Sequence, residues 1–125
     1  MSFDWSEYLK LAQDLTGQAV GSASQEAKQR AAISRAYYAA FCKGRNYLRD
    51  VDKLLVPSGG RAHQYVREQF KKNTDRFRKR IGYNLDRLRS DRNKADYDDD
   101  VTTLEMTASA DLALAERIFF ILEKL

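Results

Sequence analysis

The sequence predicts an all-α chain, a compact bundle of about five helices forming one domain over residues 1–125. Three observations carry this. Proline occurs once in 125 residues. Apolar residues recur at three- and four-residue spacing through five segments. The glycines fall mostly between those segments, and several segments open on a residue type that caps helices.

The first helix is expected from about Asp4 to Thr16. Asp4 and Glu7 have the spacing of an N-cap and its reciprocal acid. Trp5, Tyr8, Leu9, Ala12 and Leu15 repeat at helical spacing, and Gly17 is a plausible stop. The second starts near Ser22 or Ser24 and runs to about Arg49. Its stripe is Ile33, Ala36, Tyr37, Ala40, Phe41, Gly44, Tyr47 and Leu48. At 1.5 Å per residue it would be about 40 Å long, enough for a central rod. Ala36, Ala40 and Gly44 lie four apart, so that face admits a close neighbour, either a partner helix or a second subunit.

A loop from about Asp50 to Gly60 contains Pro57-Ser58-Gly59-Gly60. The third helix covers about Arg61 to Asn73, with Ala62, Val66 and Phe70 inward. The fourth runs from Asp75 to Lys94 or slightly beyond, and the acids Asp96 and Asp98 to Asp100 follow. The fifth starts at Thr102, whose spacing to Glu105 matches a capping box. It continues through Leu104, Ala108, Leu112, Ala115, Phe119 and Leu122. Short loops favour antiparallel neighbours in an up-down bundle.

Hydrophobic residues make up 43% of the chain, an ordinary globular share. No apolar run approaches the roughly 20 residues of a membrane span. The start, MSFDWSEY, has no basic stretch followed by an apolar one, so no secretory leader is expected. The single cysteine, Cys42, fits a reducing, cytoplasmic setting and reads as a buried structural thiol. One His and one Cys make no metal cluster, and no cofactor motif is present.

The net charge of +4 hides an asymmetry. Residues 61–94 hold twelve Lys/Arg against four acids, so this stretch carries +8. It reads either as a solvated helix face or as a surface for a phosphate-rich partner. The run Arg76-Phe77-Arg78-Lys79-Arg80, with Arg89 further along, is the candidate RNA-binding set. Phe77 and Tyr83 within it read as packing residues.

On a helical wheel with Phe77 at zero, Ile81, Leu85 and Leu88 fall within about 80°. Arg92 falls inside the same stripe, at about 60°. A guanidinium keeps its charge, so a part-buried one needs an acid or an anionic ligand. An ion pair to Asp96 or to an acid on the second helix is one reading. A phosphate is the other.

Two stretches together resemble a HEPN domain (higher eukaryotes and prokaryotes nucleotide-binding). One is Ser34-Arg35-Ala36-Tyr37-Tyr38-Ala39-Ala40-Phe41, similar to the family's aromatic and small-residue helix. The other is Arg92-Asn93-Lys94-Ala95-Asp96-Tyr97. It stands at the place of the family's Arg, polar residue, spacer and His, with an ending like the Ala-Asp-Tyr branch. The resemblance implies an all-α bundle, usually a homodimer, with RNA as substrate or ligand. It further implies a metal-independent ribonuclease or toxin, held by an antitoxin such as a small nucleotidyltransferase. The alternative is a non-catalytic domain binding RNA, a nucleotide or a protein. Arg92 and Asn93 carry over directly, while Tyr97 carries over by position only.

Metal-free RNA cleavage needs a base for the 2′-hydroxyl, an acid for the leaving 5′-oxygen, and a cation for the phosphorane. Arg92 suits the last role. Asp96 is a weak base, and Tyr97 a possible acid or a structural hydrogen-bonder. Tyrosine, with a pKa of about 10, is a poorer proton carrier than histidine at about 6.5. Ala36, Tyr37, Tyr38, Ala40 and Gly44 are the dimer or cleft candidates, with Tyr37 in the core and Tyr38 in a groove or interface. His63, the only histidine, reads as a surface or helix-start residue.

Overall fold

The computed structural model describes residues 3–17 and 24–125. Among them every regular element is a helix: α1 (Ser6–Thr16), α2 (Gln25–Asp50), α3 (Arg61–Lys71), α4 (Arg76–Tyr97) and α5 (Leu104–Lys124). No helix among the described residues is long and apolar enough to cross a membrane.

Side-chain caps set the starts of α2 and α4. The Ser24 hydroxyl accepts from Ala27 N at 3.1 Å, opening α2. Ser22, the other candidate, lies outside the described residues. Asp75 accepts from Phe77 N at 2.7 Å and opens α4. Asp4 accepts from Ser6 N at 3.0 Å, but Glu7 turns to Lys10 rather than closing the box. The capping box expected at Thr102 is absent. Thr103 stands at the start of α5 with φ +54°, and no side chain caps that helix. A capping side chain needs extended backbone, and the left-handed turn at Thr103 removes it.

α2 is the axis and packs against the other four helices. Its 26 residues span about 39 Å. Ala32, Ala36, Ala39 and Ala40 are fully buried within the single chain. A Cβ on Gly44 would lie 3.3 Å from the Phe70 ring and 3.8 Å from Val66. The small-residue stripe is therefore consumed by the chain's own packing, and Ala36, Ala40 and Gly44 offer nothing to a second subunit. Cys42 is buried too, and burial pushes its thiol pKa up.

The main core joins Tyr37, Phe41, Leu48, Val66, Phe70, Ile81, Leu85, Leu88, Ile118 and Ile121. Each such side chain contributes about 1.5–3 kcal/mol on burial. Phe77 and Tyr83 are 44% and 59% exposed, so they are not the packing residues their pattern predicts. The inward stripe of α4 begins one turn later, at Ile81.

α3 runs in the same sense as α2, since His63 lies against Tyr37 and Phe41 while Val66 and Phe70 lie at Gly44. The ten-residue return after Asp50 makes this possible, and it breaks the simple up-down order. A second cluster, Ile33, Ala95, Leu104 and Ala108, fastens the end of α4 and the start of α5 to α2. Arg30 completes that junction. Its guanidinium donates to the carbonyls of Ala95 at 2.8 Å, Asp98 at 2.7 Å and Asp99 at 3.1 Å. Carbonyls of this kind are left unpaired at a helix end and favour a cation.

Candidate functional site

The last turns of α4 cross the middle of α2, and Arg92 stands at the crossing. Its side chain is 18% exposed. Nη2 donates to the Tyr38 phenol oxygen at 2.7 Å, and the guanidinium lies 5.1 Å from the Tyr38 ring centroid. Nη1 donates to Asn93 Oδ1 at 3.0 Å. Nε lies 2.9 Å from Asp96 Oδ2, a close ion pair whose N–H is not aligned for a hydrogen bond. Ser34 on α2 donates to the same Asp96 oxygen at 3.4 Å.

Arg92, Asn93, Asp96, Tyr38 and Ser34 are thus brought together. The wheel position of Arg92 explains its depth. It occupies the next inward slot after Leu88, and the tyrosine ring and two polar groups satisfy it there. Tyr97 sits apart from this stripe. Its ring is 73% exposed, with the Arg92 guanidinium 5.8 Å from its centroid.

Tyr37 is fully buried, and its hydroxyl meets Nδ1 of His63 at 2.5 Å. Burial pushes the Tyr37 pKa up to about 12, so it stays a neutral phenol. The His63 ring stacks on Phe41 with centroids 4.2 Å apart and meets Tyr38 edge-on at 6.1 Å. Burial lowers the His63 pKa, and the charges of Arg89, Arg92, Arg67 and Arg45 lower it further. Both effects favour the neutral imidazole, and four arginines are near enough to act on it. The expectation of a surface or helix-start histidine captures its place at the start of α3 but misses this environment. One signal was present: His63, Val66 and Phe70 share the inward spacing of α3.

The basic candidates separate. Arg89 is exposed, one turn from Arg92, and has no ion pair among the described residues. Arg76, Lys79 and Arg80 are exposed near the start of α4, and Arg76 lies over the Phe77 ring at 5.0 Å. Arg78 is held inward. It pairs with Asp52 at 2.6 Å and donates to the Tyr47 hydroxyl at 3.0 Å. Arg78 is an internal tie between α4 and the end of α2, and not a free phosphate ligand.

Along α2, Ser34, Tyr38, Phe41 and Arg45 share one face at helical spacing. Arg45 has no ion pair among the described residues. Its guanidinium lies 5.9 Å from the Phe41 centroid. Beyond Phe41, a groove of about 560 Å³ is lined by Arg45, Arg49, Pro57, Ser58, Gly59 and His63 among others. The whole strip offers cations, aromatic faces and one neutral imidazole. Such a surface suits a phosphodiester chain with unstacked bases.

No family model, curated protein or solved structure matches the chain.

Proposed function

We propose that the chain is a HEPN-type domain that acts on RNA, as a metal-independent endoribonuclease of a toxin–antitoxin-like system. The observation that carries this reading is Arg92, a fixed cation held by Tyr38 and Asp96 beside the unpaired Arg89. A preorganised guanidinium stabilises charge that develops on a phosphorane. The reading includes a cytoplasmic homodimer and an antitoxin such as a small nucleotidyltransferase. Its dimer surface lies elsewhere than Ala36, Ala40 and Gly44, which are spent inside the chain.

A second reading has its own support. Both terminal guanidinium nitrogens of Arg92 donate hydrogen bonds inside the chain, and Asp96 beside Nε offsets its charge. A domain that binds RNA, a nucleotide or a protein without cutting would keep such an arginine as a structural tie.

End-labelled RNA incubated with purified protein, with and without chelator, separates the two. The nuclease reading expects cleavage insensitive to chelator and lost on the order of a hundredfold in Arg92→Ala. Tyr97→Phe tests the hydroxyl, and Tyr97→His tests whether an imidazole at that position adds activity. RNA bound but left intact by every variant supports the binding reading. RNA neither bound nor cut removes nucleic acid as a partner.

A further inference from the structure

Resting on the RNA-acting reading, we infer that His63 is the proton-transfer residue of the site, with single-stranded RNA lying along α2 from Tyr38 to Arg45.

Four features meet at this residue. The imidazole is held from two sides, by the Tyr37 hydroxyl on Nδ1 and by the Phe41 face. That leaves Nε2 as the nitrogen without a partner among the described residues. The ring lines the groove that also holds Arg45, and Arg49, whose charge is offset by Asp50 at 2.8 Å. On its other side Tyr38 links it to Arg92, through the edge-on ring contact and the 2.7 Å hydrogen bond. Arg45, which has no ion pair among the described residues, thus lies on one side of the imidazole, and the Asp96-paired Arg92 on the other. Tyr97 has none of this, being largely exposed. From Tyr38 to Arg45 the α2 face spans about 10 Å, room for one to two nucleotides.

The chemistry follows. In the tautomer whose Nδ1–H donates to the Tyr37 oxygen, Nε2 carries the free lone pair and accepts the proton of a ribose 2′-hydroxyl. The 2′-oxygen bonds to phosphorus, and the P–O5′ bond breaks. The 5′-oxygen takes a proton from water, and the imidazolium returns its own to solvent. The products are a 2′,3′-cyclic phosphate and a 5′-hydroxyl. Tyr37 serves as the positioning residue, holding Nδ1 and aiming Nε2 away from itself.

The groups that face His63 are Tyr37, Tyr38 and Arg45 from α2, Arg67 from α3, and Arg89 and Arg92 from α4. Their positive charge and the burial favour the neutral ring, so the base stays available down to mildly acidic pH.

The test uses the full chain and a short single-stranded RNA, with a chelator present. kcat should be flat near pH 7 and fall with a single acid limb below the ordinary imidazole value of about 6.5. His63→Gln should lower kcat on the order of a hundredfold or more with KM little changed, and remove that limb. Tyr37→Phe, which keeps the ring, should lower kcat about tenfold and displace the limb. RNA with a 2′-deoxyribose at the cleavage position should bind and stay intact.

Cleavage by His63→Gln within threefold of the native rate, with the same limb, overturns the His63 role and leaves the RNA-cleaving reading standing. RNA bound but uncut by the native chain overturns it and leaves a binding domain. RNA neither bound nor cut overturns the underlying reading as well. If His63→Gln melts, the native pH profile and Tyr37→Phe decide, and a native profile without the acid limb overturns the proposal.

Discussion

Nη2 of Arg92 donates a 2.7 Å hydrogen bond to the phenol of Tyr38, 54 positions earlier in the chain. This contact joins the last turns of α4 to the middle of α2. It links a charged group whose partners are otherwise local, Asn93 and Asp96, to the rest of the bundle.

Arg92 should therefore matter for stability whatever its role with RNA. Arg92→Ala leaves the Tyr38 hydroxyl without its donor and Asp96 without its ion-pair partner, with only the Ser34 hydroxyl still donating to it, at a cost of about 1–3 kcal/mol. Arg92→Lys keeps the charge but cannot reach three partners from one ammonium, so it should recover only part of the loss. Urea unfolding checks both variants. Native midpoints in both would show that the crossing does not depend on this side chain.

Reversals along the basic run should fall into two kinds. Arg78→Glu places an acid against Asp52 and should lower the melting temperature by several degrees. Lys79→Glu and Arg80→Glu change exposed side chains and should leave it nearly unmoved. If those two contact phosphate, each should weaken RNA binding and lower the salt slope by about 0.7. Thermal melts and binding isotherms across a salt series read the two effects separately.

Gly82→Ala should destabilise the α3–α4 contact. A Cβ at Gly82 would meet the Lys71 side chain, Lys71 N at 2.7 Å and the Arg67 carbonyl at 3.0 Å. Two of these are backbone atoms, so the helices must separate, at about 1–3 kcal/mol. Because Arg67 and Lys71 also hold Asp86, that ion-pair set should loosen as well. A melting temperature equal to native would contradict the close approach.

Asp111 makes stability depend on pH. It is fully buried on α5. Burial, then hydrogen bonding and charge from Asp91, push its pKa up to about 8, while Arg87 pulls the other way. As two carboxylates the pair would leave both Asp111 oxygens without a donor. A proton on Asp111 allows it to donate to Asp91. The folded state thus binds this proton more tightly than the unfolded chain does, so stability falls as pH rises from about 4 towards 8. Asp111→Asn supplies a permanent donor. It should flatten that slope and raise the melting temperature at pH 8 and above. Denaturant titrations at several pH values measure this, and an unchanged slope would rule out Asp111 as its source.

The helices were legible because their physics is local. Three- and four-residue spacing named the inward residues of α2, α3 and α5, and Ser24 and Asp75 cap where such side chains should. Two local signals misled. Phe77 fits the α4 stripe but lies beyond the edge of the core, and Thr102 has capping spacing but precedes a left-handed residue. Neither the reach of the core nor a backbone dihedral is written in spacing.

The site divides in the same way. Arg92, Asn93 and Asp96 lie within five positions on one helix, so their proximity follows from helical geometry alone. That Tyr38 completes the group depends on the crossing of α2 and α4. The Ala36, Ala40 and Gly44 stripe predicted a close neighbour, yet its chemistry could not say whether α3 or another subunit fills it.

By itself, the sequence determined an all-α chain, its element order and an inward arginine at the end of the fourth helix. These rest on contacts between residues a turn apart. Tertiary structure alone decided that α3 returns parallel to α2 and sets His63 against Tyr37 and Phe41, and that Arg78 is spent on Asp52. Those pairs are 22 to 26 positions apart, and only the path of the ten-residue loop brings them together.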